Sequence, residues 1–384
     1  MSNLAVEILR NAKARPDHPA MRTVGTTLTY AELEEEAWKA AQVLRGQGIS
    51  AGDVIGLALR DSRQTYIAML GAWLLGATCN LLDFRSSAEQ RRGFAEMFAQ
   101  KLLIEDGPVE GERLPISLTG WEALLDGAPA EAVAPVPSSA PAVIPVTSGT
   151  TGKPAGFPVS HEACLWRARS WRGTRAIETY KRFLSTGPMS FGANLGWVTN
   201  VLLSGGTVTF FPPMNRPRDI CEVFRAHRIV SAVMVPTALR DLLAYVRETG
   251  DRIGEGEGEA MPWLVTTGAA ISASELEALE EMLTPNIIQV YASSPVGATT
   301  VLFSDNFEGR RATVGRPLAG VELEIVDADD APRAPGEIGH LRVRTPGRAT
   351  AILGREAGKG GDRFKGDWYY PGDLGSLDAD GYLT

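Results

Sequence analysis

Between Thr147 and Gly156 the chain reads Thr-Ser-Gly-Thr-Thr-Gly-Lys-Pro-Ala-Gly, with four hydroxyl side chains, three glycines and one lysine in ten residues. Glycine lets a backbone approach a ligand closely and take positive φ. Backbone N–H groups, hydroxyls and an ammonium gathered in this way can surround the oxygens of a phosphate. The loop is not a Walker A loop, which spaces its first glycine further from the Gly-Lys pair and follows the lysine with Ser or Thr. Here two residues separate Gly149 from Gly152, and Pro154 follows Lys153. Thr147, Ser148, Gly149, Thr150, Thr151, Gly152 and Lys153 are therefore the candidate phosphate-binding residues.

Ser148 to Gly156 resembles the Ser-Gly-Thr-Thr-Gly-Lys-Pro-Lys-Gly loop of the adenylate-forming enzymes. That family includes acyl- and aryl-CoA synthetases, nonribosomal adenylation domains and luciferases, and its loop contacts the β- and γ-phosphates of ATP. One position departs: Ala155 stands where the family usually has a second lysine. The resemblance covers essentially the whole chain, and its further stations follow in order. Gly187-Pro188-Met189-Ser190-Phe191 is similar to the segment that opens the acyl-pocket helix. Amino-acid-activating relatives place an Asp after a Ser-Phe pair to hold the substrate ammonium, and here that position is Gly192. A buried ammonium without a carboxylate is costly, so the resemblance implies a substrate without an α-amino group. The implied acyl pocket consists of Phe191, Gly192, Trp197, Ser293 and Gly297, although Phe191 and Trp197 read equally well as core aromatics.

Thr267-Gly268-Ala269-Ala270 is similar to the family turn that packs beside adenine. Tyr291-Ala292-Ser293-Ser294-Pro295 occupies the place of the family's Tyr-Gly-x-Thr-Glu. There the aromatic stacks by adenine, the hydroxyl meets the α-phosphate and the Glu binds Mg²⁺. Tyr291 can stack and Ser294 can supply the hydroxyl, but Pro295 has no side-chain ligand to give. Mg²⁺ seeks carboxylate and phosphate oxygens and keeps several waters, so metal binding here rests on ATP and water, or is weak. Nothing in the sequence marks Asp305 as a replacement, and no protein metal ligand is assigned. Trp368-Tyr369-Tyr370-Pro371-Gly372-Asp373 resembles the Tyr-x-Thr-Gly-Asp station. Its Asp accepts from both ribose hydroxyls, and a carboxylate such as that of Asp373 can do so. The adenine and ribose set is then Gly268, Ala269, Ala270, Tyr291, Ala292 and Asp373.

The resemblance implies a two-step reaction. A carboxylate attacks the α-phosphate of ATP, giving an acyl-adenylate and pyrophosphate. A thiol, from coenzyme A or a carrier phosphopantetheine, then takes the acyl group. The first step needs two anions brought together and charge stabilised on phosphoryl oxygens. Lys153 and Ser294 are the candidate catalytic residues, with ATP and Mg²⁺ as cofactors. The partners implied are a small carboxylic acid and an acyl or peptidyl carrier protein. In the family a hinge and a small lid domain carrying a catalytic lysine follow the point reached at Thr384, so this chain is expected to bind ATP or an acyl-adenylate and to adenylate poorly. The alternatives are a non-catalytic nucleotide- or acyl-binding relative on the same fold, and a stand-alone adenylation domain that loads a carrier protein.

Strand and helix signals alternate through the elements that must position these residues. Thr29 and Glu32 have capping-box spacing, and Leu33, Ala37, Ala40, Ala41 and Leu44 follow at helical intervals. Val54 to Leu59 reads as a buried strand and Thr65 to Leu75 as a helix. Gly127 to Pro141 is an Ala/Pro-rich connector, and Val143 to Val146 is a strand feeding the phosphate loop. Strands are expected at 207–211, 230–235, 264–266 and 287–290. Helices are expected at 218–227 and 238–246 and after the Ser272–Glu275 capping box. Gly254 to Glu259 reads as a solvated loop. Beyond Thr300 the helix signal fades into short strands. The fold class is α/β. Two mixed or parallel sheets are flanked by helices in layers, and a small distorted β-barrel-like subdomain follows. The divisions are residues 1–180, with the phosphate loop; 181–300, with the acyl and adenine sites; and 301–384.

The chain has 384 residues, 44% of them apolar, and a formal charge of −8. That length can bury several cores, and a broad nucleic-acid surface would need a basic excess instead. The three cysteines, Cys79, Cys164 and Cys221, lie far apart. Their spacing suits neither a zinc site nor a disulfide framework, and free thiols fit a reducing cytosol. No apolar run is long enough to span a membrane.

Overall fold

The structure, a computed structural model, describes residues 3–106, 116–133, 141–147, 155–212, 216–254, 261–354 and 363–384. Ser148 to Lys153 of the phosphate loop lie outside the described residues, as does most of the expected loop at 254–259.

Two helices form the hub of the first half. Thr29 caps helix Tyr30–Gly46, accepting from the Glu32 N–H while the Glu32 carboxylate accepts from the Thr29 N–H. The helix buries Leu33, Ala37, Ala40, Ala41 and Leu44, the stripe its sequence spacing predicts. It packs on helix Ser62–Leu75, every residue of which except Arg63 is buried. That second helix runs between layers, which is why it is apolar all round.

Beside it lies a seven-stranded sheet in the order Ile116–Ser117, Gln100–Glu105, Val54–Ala58, Thr78–Leu81, Pro141–Thr147 and Ala155–Gly156, with Val159–Ser160 also paired to Pro141–Thr147. Its first five strands are parallel. A nine-stranded sheet carries the second half. From one edge it runs Arg316–Pro317, Gly297–Phe303, Ile287–Ser293, Trp263–Thr266, Ser231–Met234, Arg182–Ser185, Thr207–Phe210, Pro19–Arg22 and Thr27–Thr29. The third sheet is small and antiparallel: Glu322–Val326, Gly339–Arg344, Trp368–Tyr369 and Phe364–Lys365 in order, with Leu374–Gly375 on the second strand. It does not close into a barrel among the described residues.

One apolar core runs from Leu4 to Leu383 and joins all three sheets. A second core lies on the other face of the nine-stranded sheet, beneath helices Pro217–Ala226, Pro236–Thr249 and Ala273–Met282. Strand pairing crosses position 180, where Pro19–Arg22 pairs in parallel with Thr207–Phe210, and position 300, where Gly297–Phe303 pairs with Arg316–Pro317. Helix Leu4–Ala14, unanticipated in the sequence, ties the layers together. Asn3 Nδ2 donates to the Trp73 carbonyl at 2.9 Å, and Asn11 Nδ2 donates to the Leu202 carbonyl at 2.9 Å.

Candidate functional site

A cavity of about 320 Å³ opens where the parallel strands end. Ligands of open α/β sheets gather outside the carboxyl ends of such strands. Strand Pro141–Thr147 brings Val143, Pro145 and Val146 to the wall and then leads into the phosphate loop. Strand Trp263–Thr266 ends in Thr267 and Gly268, which also line the cavity, whereas Ala269 and Ala270 are exposed on the same turn. Strand Ile287–Ser293 turns back into Gly297–Phe303, presenting Ala292, Ser293, Ser294 and Gly297. Helix Gly192–Leu203 supplies Gly192 and Trp197, and Phe191 sits at its N-cap. All five acyl-pocket residues expected from the sequence thus line one cavity.

Trp197 is both wall and core. Its ring lies 4.9 Å from that of Trp171, edge on, and its Nε1 donates to Thr179 Oγ1 at 3.0 Å. Those contacts fix the indole, so the wall it forms is rigid. The Ser293 hydroxyl is buried without a hydrogen-bond partner among the described residues. An unpartnered buried hydroxyl at a cavity wall is poised to bond a ligand.

The adenine and ribose candidates converge although 82 positions separate them: the Tyr291 hydroxyl donates to Asp373 Oδ2 at 2.5 Å. Tyr291 is half-buried at the end of its strand, and Asp373 is exposed beside the small sheet. Burial, with the Asp373 carboxylate second, holds the Tyr291 phenol well above the usual tyrosine range. The phenol therefore stays a hydrogen-bond donor at any ordinary pH. The Leu341 N–H donates to the Asp373 carbonyl at 3.1 Å and anchors the turn that presents the carboxylate.

Several wall residues carried no sequence signal. Leu4 reaches the cavity from helix Leu4–Ala14 and Trp73 from helix Ser62–Leu75, and Cys164 and Arg167 reach it from helix His161–Arg169. Arg167 is one of four arginines within nine residues, with Arg169, Arg172 and Arg175 close behind, and only the fold selects it for the wall. The three cysteines are free thiols.

The departures from the family pattern have structural counterparts. Ala155 is 2% exposed and packed in the core, so the position takes a methyl group and no ammonium. Pro295 is buried in the turn after Ser294. Asp305 is paired with Arg175 at 3.1 Å and does not line the cavity. No cluster of three or more His, Cys, Asp or Glu that could hold a metal occurs among the described residues. These residues do not fit a magnesium ion held by the protein at this turn. No helix is long and apolar enough to cross a membrane among the described residues.

Comparison with known proteins agrees with this architecture. The fatty acid–[acyl-carrier-protein] ligase ScoC of Streptomyces coeruleorubidus is 26% identical over 97% of this chain and 74% of its own length. The syringomycin synthase SyrB1 of Pseudomonas syringae pv. syringae is 27% identical over 90% of this chain, which spans only 58% of that relative's length. Among solved structures, O-succinylbenzoate coenzyme A synthetase (MenE) from Bacillus subtilis, in complex with ATP and magnesium ion, superposes with a TM-score of 0.87 over 98% of this chain and 78% of its own, at 23% identity. At that identity the likeness shows the fold. Residues 8–353 match the AMP-binding enzyme family, and the chain belongs to it.

Proposed function

We propose that this chain is the nucleotide- and acid-binding part of an AMP-forming acid–thiol ligase of the acyl-CoA synthetase type. The observation that carries the reading is the Tyr291–Asp373 hydrogen bond beside the apolar cavity. It joins an aromatic suited to stacking on adenine with an exposed carboxylate that can accept from both ribose hydroxyls. In this reading the loop from Thr147 to Lys153 takes the β- and γ-phosphates, and the Ser294 hydroxyl bonds the α-phosphate. The acid's apolar body fills the cavity against Phe191 and Trp197. Its carboxylate then lies in line with the α-phosphorus, attacks it and releases pyrophosphate. The chain's contribution is orientation and charge stabilisation. The resulting mixed anhydride acylates a thiol of coenzyme A or of a carrier phosphopantetheine.

The cavity wall also narrows the acid. It has no Asp or Glu among its described residues, so an α-ammonium would be buried without a counter-charge. That supports an acid without an α-amino group. Pro295 favours a second reading, a relative that binds nucleotide or acyl-adenylate without turning it over.

Calorimetric titration with ATP, GTP and a non-hydrolysable acyl-adenylate tests the first reading. ATP should bind in preference to GTP, and Asp373→Ala should weaken ATP binding roughly tenfold or more, as expected for hydrogen bonds to a charged group. Absence of binding by both ATP and the adenylate would sink the reading. Binding without acid-dependent pyrophosphate exchange would favour the second.

A further inference from the structure

Helix His161–Arg169 turns Cys164 and Arg167 toward the cavity, and Trp171 follows one turn on. Arg167 is the one charged side chain among the described residues that line the cavity. Its described partners are all neutral carbonyls. Nε donates to Gly347 at 2.7 Å, and Nη2 donates to Ser294 at 3.2 Å and to Pro295 at 3.0 Å. Nη1 makes no hydrogen bond to a described residue, and Arg167 forms no ion pair with one. The place is built for this side chain. A Cβ at Gly297 would lie 2.9 Å from Arg167 Cδ and Nε, and a Cβ at Gly347 would lie 2.7 Å from Trp166 Cε3 and 2.9 Å from Arg167 Cγ. Two glycines from different segments therefore leave the space that the arginine occupies. Burial holds the guanidinium below its usual pKa, as befits a desolvated cation without a counter-ion among the described residues. Carbonyl dipoles position such a cation but leave its charge unopposed, and a bound anion would oppose it.

We propose that Arg167 reads a second acidic group on the acid, so that the substrate class is a dicarboxylic acid. One carboxylate is activated, and the other stays ionised against the guanidinium. The proposal rests on the adenylation reading above. Two arguments favour the second carboxylate over the reacting one. A fixed guanidinium on the attacking carboxylate would stabilise the nucleophile in the ground state, and only interactions stronger in the transition state accelerate the step. A distal carboxylate keeps its charge throughout. In a cavity whose described wall has no other cation and includes Trp73, Trp171 and Trp197, such a charge is costly to bury without this partner.

The test is calorimetry of the full chain with non-hydrolysable adenosine sulfamates whose acyl groups are hexanoyl, adipoyl and adipamoyl, and with a benzoyl and 3-carboxybenzoyl pair. None retains a free reacting carboxylate, so a role for Arg167 at that end cannot generate a preference among them. The carboxylate-ended ligand of at least one set should bind on the order of tenfold tighter than its neutral partners. Arg167→Gln should abolish the preference, and Arg167→Lys should keep part of it. Equal binding within both sets by the wild-type chain overturns the proposal, as does a preference that survives Arg167→Gln. The wild-type comparison stands even where a variant misfolds. If none of the sulfamates binds, the adenylation reading itself fails and the dicarboxylate proposal falls with it.

Discussion

Tyr291 and Asp373 show how a site can be readable in its parts while its assembly is not. Each follows from a short run of residues, but the 2.5 Å contact between them depends on the small sheet's position against the strand that ends at Ser293. In the adenylation reading the phenol holds the carboxylate and the ring stacks. Tyr291→Phe should therefore weaken ATP binding only a few-fold, because it removes one hydrogen bond of about 1 kcal/mol. Tyr291→Ala should cost more, since it also removes the stacking surface. Calorimetry on both variants checks the order, and equal losses would mean that the ring does not touch the nucleotide. Arg167 lies at the opposite extreme of legibility. It shares its charge with Arg169, Arg172 and Arg175. What sets it apart is the pair of glycines at 297 and 347, far along the chain, that clear its space.

Helices and strands were readable where local chemistry decides them. The Thr29–Glu32 and Ser272–Glu275 capping boxes both form as their spacing predicts. A third box, Ser87 with Gln90, has the same spacing but opens a helix with no buried residue, so no apolar stripe announced it. Strand Pro19–Arg22 pairs with Thr207–Phe210, which no local window contains, and Thr27–Thr29 pairs in turn with Pro19–Arg22 at the sheet edge. Helix Leu4–Ala14 is held in the same non-local way. The Leu4 N–H donates to Nδ1 of His161 at 3.3 Å, at the start of the cavity helix. That acceptor exists only on a neutral ring, and burial pushes the His161 pKa down to about 4. The sign follows directly. Between the ordinary histidine value of 6.5 and about 4 the unfolded chain binds the proton and the folded chain does not, so stability is full above the upper limit and falls as pH drops through the window. The loss should reach about 2 kcal/mol between pH 7 and pH 5. Urea unfolding at the two values measures it, and His161→Asn, which keeps an acceptor but cannot titrate, should lose most of that difference. An unchanged difference in the variant would place the pH dependence elsewhere.

Across the whole molecule, the cavity draws its wall from Leu4 to Ala298, and the Tyr291–Asp373 pair adds the small sheet's turn. The end of the chain is stitched back in. The Val314 N–H donates to the Leu383 carbonyl at 2.8 Å, and the Leu383 N–H donates to the Gly315 carbonyl at 2.9 Å. Gly156 and Leu353 exchange hydrogen bonds between the seven-stranded sheet and the segment that crosses the cavity helix. Three independent units would each keep a core, yet one apolar cluster here includes Ile55, Val208 and Val343, one from each sheet. A shared core of this kind predicts cooperative unfolding. Tryptophan fluorescence, which samples Trp73 and Trp197 in the cavity wall, should therefore change together with far-ultraviolet circular dichroism, which samples all three sheets. A ligand that needs the whole assembly should move that single transition as one. An acyl-adenylate analogue at about one hundred times its Kd should raise the unfolding free energy by about 2.7 kcal/mol in both signals. Were the segment from Val321 to Thr384 to melt first and separately, the ligand would shift only the later transition or split the two further. The Tyr291–Asp373 pair would then have to form by docking of a separately folded piece, not within one cooperative fold.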